Sequence, residues 1–234
     1  MDLILIPGFW LNGDSWNDVA PALRDAGFTV HTPTLAGLHS VDDDRSGVTL
    51  ASQIAEVVAL VDSVDASREI VLVGHSGGGS IIHAVVDARP ERIRRAVYVD
   101  SWPTADGVAI NEELEAVGDE VPLPGWGEFG EADLRGLTDD LRAWFRRIAI
   151  PQPVHVARDP QRLHDPRRYA VPVTLVASTF TREELDGYLA AGHPYFAELP
   201  HLASLTVVEL PTGHWPQFTR SADLAAALAE AARA

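Results

Sequence analysis

The sequence predicts an α/β fold, one domain over residues 1–234, with a mostly parallel sheet of about six strands flanked by helices. Three observations carry this. Short, continuous apolar runs alternate with longer stretches of helical periodicity, as in parallel sheets covered on both faces. Hydrophobic residues make up 46% of the 234, enough for a full core. One connection, between Asp100 and Val173, is far longer than the crossover of about a dozen residues that a parallel pair requires.

Leu3 to Ile6 is the first such run and ends at Pro7-Gly8. Asp14 or Ser15 is suited to cap a helix through Trp16, Val19 and Leu23, stopped by Gly27. Phe28 to His31 reads as the second strand. Thr49 opens a helix whose apolar positions are Leu50, Ile54, Val57, Val58 and Val61. Ile70 to Val73 is the third strand, followed by a glycine-rich corner and a helix that stops before Pro90. Val97 to Val99, Val173 to Val176 and Leu205 to Leu210 supply three more strands. Thr181-Arg182-Glu183-Glu184 has the form of a capping box, and an Ala/Leu helix from about Ala222 closes the chain. Residues 102–169, with helical pieces such as Leu134 to Ile148, read as a lid inserted over one end of the sheet.

Composition narrows the function. Lys+Arg number 18 against 34 Asp+Glu, a net charge of −16, which repels nucleic acid and anionic membranes. Cysteine is absent, which excludes disulfides and thiolate chemistry and suits a reducing compartment. No apolar run approaches the roughly 20 residues of a membrane span, and the start is too short and too acidic for a signal peptide. The expectation is a cytoplasmic protein with no membrane or nucleic-acid partner; monomer and homodimer both stay open. Asp42-Asp43-Asp44 reads as a solvated loop, so no metal is expected. Arg158, Arg162, Arg167 and Arg168 are expected to pair with nearby Asp159 and Asp165.

The corner Gly74-His75-Ser76-Gly77-Gly78 fits G-x-S-x-G between a buried strand and a helix. That arrangement lifts one hydroxyl clear at the C-terminal edge of the sheet, above a helix N-terminus. A dinucleotide loop would need a small residue at position 82, which is Ile82, so no such cofactor is expected. A serine nucleophile needs a base. Of nine histidines, His214 lies just past the last strand in Pro211-Thr212-Gly213-His214-Trp215-Pro216, at the same sheet edge as Ser76. His75 must point away from Ser76, and His83 reads as a packed helix residue.

Pro7-Gly8-Phe9-Trp10 followed by Trp16, the corner at Ser76, and Gly213-His214-Trp215-Pro216 together make the chain resemble the α/β-hydrolase fold over nearly its whole length. The likeness is to the branch of small esterases, lactonases and hydroxynitrile-lyase-like proteins. It implies a triad in the chain order serine, acid, histidine, with no cofactor. In most of that family the acid follows the strand at Val173 to Val176, but the loop here, Ser178-Thr179-Phe180-Thr181, places no carboxylate there. Asp100, ending the fourth strand, is favoured; Glu183, Glu184 or Asp186 is the alternative. The resemblance also implies an oxyanion hole from the backbone N–H groups of Gly77 and Phe9, although the family often has His-Gly where this chain has Pro7-Gly8. Trp10, Trp102, Trp126, Trp144 and Trp215 fall where a substrate would sit or be covered, pointing to a small hydrophobic or aromatic ester or lactone. Two other outcomes share this scaffold: a cofactor-independent dioxygenase or lyase using His214 and Asp100 as base, and a non-catalytic ligand receptor.

Overall fold

The computed structural model describes residues 1–234. Its strands are β1 (Asp2–Ile6), β2 (Thr29–His31), β3 (Ile70–His75), β4 (Ile93–Val99), β5 (Glu120–Val121), β6 (Gln152–Pro153), β7 (Val173–Ala177) and β8 (Leu205–Glu209). Its α-helices are α1 (Ala20–Asp25), α2 (Leu50–Ser63), α3 (Gly77–Ala88), α4 (Asp139–Ile148), α5 (Val154–Arg158), α6 (Arg182–Ala190), α7 (Pro216–Thr219) and α8 (Ser221–Arg233). Six strands form one sheet in the order β2-β1-β3-β4-β7-β8, every neighbouring pair parallel.

The apolar runs are continuous because both faces of the sheet are covered. Leu3, Leu5, Val71, Val73, Val97 and Val99 point to a core completed by Leu23 of α1 and Leu224 and Leu228 of α8. Their neighbours Ile4, Ile6, Leu72, Ala96 and Tyr98 point to the opposite core, closed by Val57 and Val61 of α2 and by Ile81, Ile82 and Val85 of α3. Alternate residues along the central strands therefore serve two hydrophobic layers, and buried polar strand residues such as Arg95 and Thr174 bond to one another (3.1 Å).

The helix expected from Asp14 through Leu23 is broken. A 3-10 turn covers Gly13–Trp16, capped by Asn12 rather than by Asp14 or Ser15, and α1 starts only at Ala20. Pro21 explains the break: it has no N–H to give and its ring crowds the preceding turn, so it is accommodated only at the start of a helix. The helix expected from Leu134 begins instead at Asp139, where Thr138 accepts a hydrogen bond from the N–H of Leu141. Thr49 and Thr181 cap α2 and α6 as capping boxes with Ser52 and Glu184.

The β4–β7 connection carries β5, β6, α4 and α5. It is anchored to the loop after β1 at two points: Trp10 Nε1 donates to the Val121 carbonyl (3.1 Å), and the Ile150 N–H donates to the Trp10 carbonyl (2.9 Å). Arg45, almost fully buried, adds bonds to the Pro151 carbonyl (2.9 Å) and Glu120 Oε1 (2.7 Å). A separate small core of Leu11, Leu137, Phe145 and Trp215 lies beneath it. No helix is long and apolar enough to cross a membrane.

Candidate active site

Three non-glycine residues have positive φ: Trp10 (64°), Ser76 (50°) and Asp100 (44°). All lie just beyond the C-terminal ends of β1, β3 and β4, the three adjacent central strands. Backbone strain of this kind costs about 1–3 kcal/mol per residue and persists only where surroundings enforce it. At Ser76 the enforcement is close packing. A Cβ on Gly74 would stand 2.6 Å from the Gly78 carbonyl oxygen, and one on Gly78 would stand 2.5 Å from that of Pro7. The Ser76 N–H donates to the Val99 carbonyl (3.1 Å), and its own carbonyl accepts from Ser101 Oγ (2.7 Å) and the Gly79 N–H (2.8 Å).

The corner leaves Ser76 Oγ 2.8 Å from His214 Nε2. His214 Nδ1 lies 2.6 Å from Asp100 Oδ2. A carboxylate on Nδ1 makes that nitrogen the N–H donor, which leaves the Nε2 lone pair facing the serine hydroxyl. Asp100 is almost fully buried, and its Oδ1 accepts from the backbone N–H groups of Ser178 (3.0 Å) and Thr179 (2.9 Å). Thr179 Oγ1 donates to the same carboxylate at 3.0 Å. Burial works to raise the Asp100 pKa, but the hydrogen bond and positive charge available from His214, with the Thr179 and Ser178 donors, outweigh it and hold the carboxyl below its ordinary value. Burial likewise works to lower the His214 pKa; the bond to Asp100 and its charge, helped by Asp133, win and raise it.

The alternative acids are otherwise engaged. Glu184 Oε2 accepts from the Thr181 N–H in the α6 capping box (2.7 Å), Asp186 pairs with Arg182 (2.8 Å), and Glu183 is exposed on the first turn of α6.

Several supporting residues escaped the sequence reading. His75 does point away from Ser76, and it is fully buried behind His214: its Nε2 donates to the His214 carbonyl (2.6 Å), and its Nδ1 faces Gln217 Nε2 (3.3 Å). Burial, then the neighbouring His214, push its pKa down to about 3, so it stays a neutral strut. Thr179 and Ser101 had a readable signal, hydroxyl residues directly following strands at the catalytic edge. The bond from the His214 N–H to the Asp133 carbonyl (2.9 Å) had none, because it joins segments eighty residues apart.

Phe9 lies in the loop after β1, and its N–H makes no hydrogen bond within the protein. Gly77 is the first residue of α3, where N–H groups have no intrahelical carbonyl. The Phe9 ring packs directly over Gly77 Cα.

A cavity of about 730 Å³ opens above Ser76 and His214. Its apolar wall includes Phe9, Trp10, Trp102, Ile110, Leu114 and Phe129. Two of the five expected tryptophans, Trp10 and Trp102, therefore line it. Trp126, Trp144 and Trp215 do not. Trp215 is buried edge-on against the His214 ring (5.0 Å) and Phe145 (5.2 Å), Trp126 packs on Phe129 and Phe145 (both 5.7 Å), and Trp144 packs on Phe218 (5.0 Å). These large rings form the small core shared by the insertion and the segment after His214. No group of three or more ligand-type side chains is placed to hold a metal. Asp43 and Asp44 instead accept from the N–H groups of His39 (2.8 Å) and Ser46 (3.0 Å).

The family model described as the alpha/beta hydrolase family matches residues 3–227. The chain belongs to the alpha/beta hydrolase family. Among curated members, this hydrolase is 28% identical over 235 aligned positions to the carbendazim hydrolyzing esterase of Nocardioides sp. (strain SG-4G), covering 91% of this chain and 92% of that one. The pyrethroid hydrolase of Sphingobium faniae JZ-2 superposes with a TM-score of 0.71 at 22% identity, over 100% of this chain and 98% of its own. An extracellular alpha/beta-hydrolase from a Paenibacillus species superposes with a TM-score of 0.74 at 22% identity, over 99% and 98%. These two likenesses show the fold.

Proposed function

We propose that this hydrolase cleaves a small, hydrophobic carboxylic ester or lactone through an acyl-enzyme on Ser76. The observation that carries the reading is the hydrogen-bonded chain from Ser76 Oγ through His214 to Asp100, with links of 2.8 and 2.6 Å. Ser76 Oγ attacks the carbonyl carbon while its proton passes to His214 Nε2. Asp100 keeps the imidazole in the right tautomer and stabilises the imidazolium. The negative charge that develops on the carbonyl oxygen is received by the Phe9 and Gly77 N–H groups. The tetrahedral species collapses as His214 returns the proton to the leaving oxygen. A water then attacks the acyl carbon with His214 again as base, and the acid leaves.

The named esterase relative supports carboxylic-ester chemistry. The cavity supports the substrate class: it is apolar around the nucleophile, and its charged lining residues are all acidic, among them Glu113, Glu115, Glu128 and Asp133. Such a wall accepts a neutral ester and repels the carboxylate product. Residues 102–169 act as the lid of this pocket, excluding water from the acyl transfer.

Steady-state hydrolysis of p-nitrophenyl butanoate by wild type, Ser76→Ala and His214→Ala tests the reading. Both variants should lose at least about 10⁴-fold in kcat. Turnover that survives Ser76→Ala but not His214→Ala would replace the acyl-enzyme with base chemistry by the His214–Asp100 pair.

A further inference from the structure

One turn beyond Ser76 on α3, Ser80 faces the same cavity, and Thr104 reaches it from the segment after β4. Their hydroxyls are 2.5 Å apart. A serine within a helix usually turns its hydroxyl back to the carbonyl four residues earlier. Here that carbonyl belongs to Ser76 and is already held by Ser101 Oγ (2.7 Å) and the Gly79 N–H (2.8 Å). The Ser80 hydroxyl therefore turns to Thr104 instead. Neither hydroxyl has another partner in the protein. Each carries one proton and two lone pairs. One proton is spent within the pair, so one O–H is left to donate, in a cavity whose lining includes Trp102, Ala105, Val108 and Ala109 as well as Asn111 and Glu113.

The pair is rigidly built. Gln161 is fully buried and clamps both sides of it: its Nε2 donates to the Ser80 carbonyl (2.7 Å), its N–H to the Val108 carbonyl (2.9 Å), and its carbonyl accepts from the Gly107 N–H (2.8 Å). The loop bearing Thr104 is thus tied to the helix bearing Ser80. Four residues of helix rise about 6 Å, which matches the reach of about four bonds from the carbonyl under attack.

We propose that the Ser80–Thr104 pair is the polar recognition point of the cavity, donating a hydrogen bond to an ether, carbonyl or ring-nitrogen acceptor about four bonds from the scissile carbonyl. This rests on the ester-hydrolase reading and adds a substrate class to it: esters with a heteroatom at that distance are preferred over hydrocarbon isosteres. A part-buried hydroxyl pair left without its acceptor penalises the isostere.

The test uses two shape-matched pairs. In the acyl pair, p-nitrophenyl 4-methoxybutanoate is compared with p-nitrophenyl hexanoate. In the alcohol pair, 2-ethoxyethyl butanoate is compared with pentyl butanoate. The readout is the ratio of kcat/KM, ether over alkyl, in wild type, Ser80→Ala, Thr104→Val and Thr104→Ser. In one of the two pairs the ratio should fall about tenfold in Ser80→Ala and Thr104→Val and be retained in Thr104→Ser, which keeps the hydroxyl. Turnover of the alkyl ester reports that each variant is folded. Ratios that agree within twofold across all four proteins, in both pairs, overturn the proposal and leave ester hydrolysis standing. No turnover of any of the four esters, together with no labelling of Ser76 by a fluorophosphonate, overturns both.

Discussion

The backbone N–H of His214 donates to the carbonyl of Asp133 at 2.9 Å, so the loop that carries the imidazole is held by the β4–β7 connection as well as by the sheet. Gly213 permits this approach. A Cβ there would stand 2.3 Å from the Arg135 carbonyl oxygen and 2.5 Å from that of Asp133. Gly213→Ala should therefore push the His214 loop off the connection. The expected result is a kcat lower by about 10²-fold, from a misplaced base, with a smaller change in KM. Stopped-flow acylation by an activated ester would measure it.

The pH dependence follows from the same imidazole. His214 must be neutral at Nε2 to accept the serine proton, and its pKa is raised by Asp100. Activity is then present above the raised value and lost as pH falls through it, so the acid limb of kcat/KM should lie above the ordinary histidine value of about 6.5. Asp100→Asn removes the cause: the limb should move down in pH, and kcat should fall about 10⁴-fold as the tautomer is lost. Although the His75 and His214 rings are only 5.0 Å apart, only one limb is expected, because His75 is held at about 3.

Gly78 packs against the turn after β1 with no space for a methyl group, its virtual Cβ lying 2.5 Å from the Pro7 carbonyl and 2.7 Å from that of Ile6. Gly78→Ala should destabilise by about 1–3 kcal/mol and distort the corner. Thermal melting should record a lowered Tm, and fluorophosphonate labelling of Ser76 should slow.

A buried ionic cluster against α3 contributes to acid stability. Glu198 Oε2 accepts from His83 Nε2 (3.1 Å) and Arg168 Nε (3.0 Å), Arg168 Nη1 reaches Asp87 (3.2 Å), and Tyr98 OH lies 2.9 Å from His83 Nδ1. Burial works to raise the Glu198 pKa, but its bonds to His83 and Arg168 bring it down to about 2. A folded value below the unfolded one adds stability above the unfolded pKa of about 4.5, and that stability is lost as pH falls toward 2. Chemical denaturation of wild type between pH 6 and pH 3 should show a loss of about 2 kcal/mol at most from this group. Glu198→Gln should be less stable at pH 6 and should flatten that dependence.

Much of this frame was legible from residue order. Leu3–Ile6 and Ile70–Val73 announce buried strands because a strand covered on both faces can have no polar alternation; Pro7 marks where the first ends, while β3 runs on through Gly74 to His75. The shared edge of Ser76, Asp100 and His214 was legible because Ser76 and Asp100 directly follow strands, His214 lies in the loop after the last one, and the strands of the main sheet are parallel. What escaped was tertiary. Whether a tryptophan faces a cavity or a small core depends on which side of the insertion it occupies, and Trp102 and Trp126 look alike in sequence. Arg168 was expected to pair with its near neighbours Asp159 and Asp165; Arg167 does bind Asp165 (2.6 Å), but Arg168 turns inward to Asp87 and Glu198, partners brought to it only by the packing of α3. Pro21 was a readable warning against one long helix after β1.

Peptide mass spectrometry after reaction with a fluorophosphonate tests the central claim most directly. A single adduct on Ser76 in the wild type, its absence in Ser76→Ala, and strongly slowed formation in His214→Ala and Asp100→Asn are the expected results. An unlabelled Ser76 in a protein that still hydrolyses esters, or an adduct at another serine that tracks with activity, would contradict it.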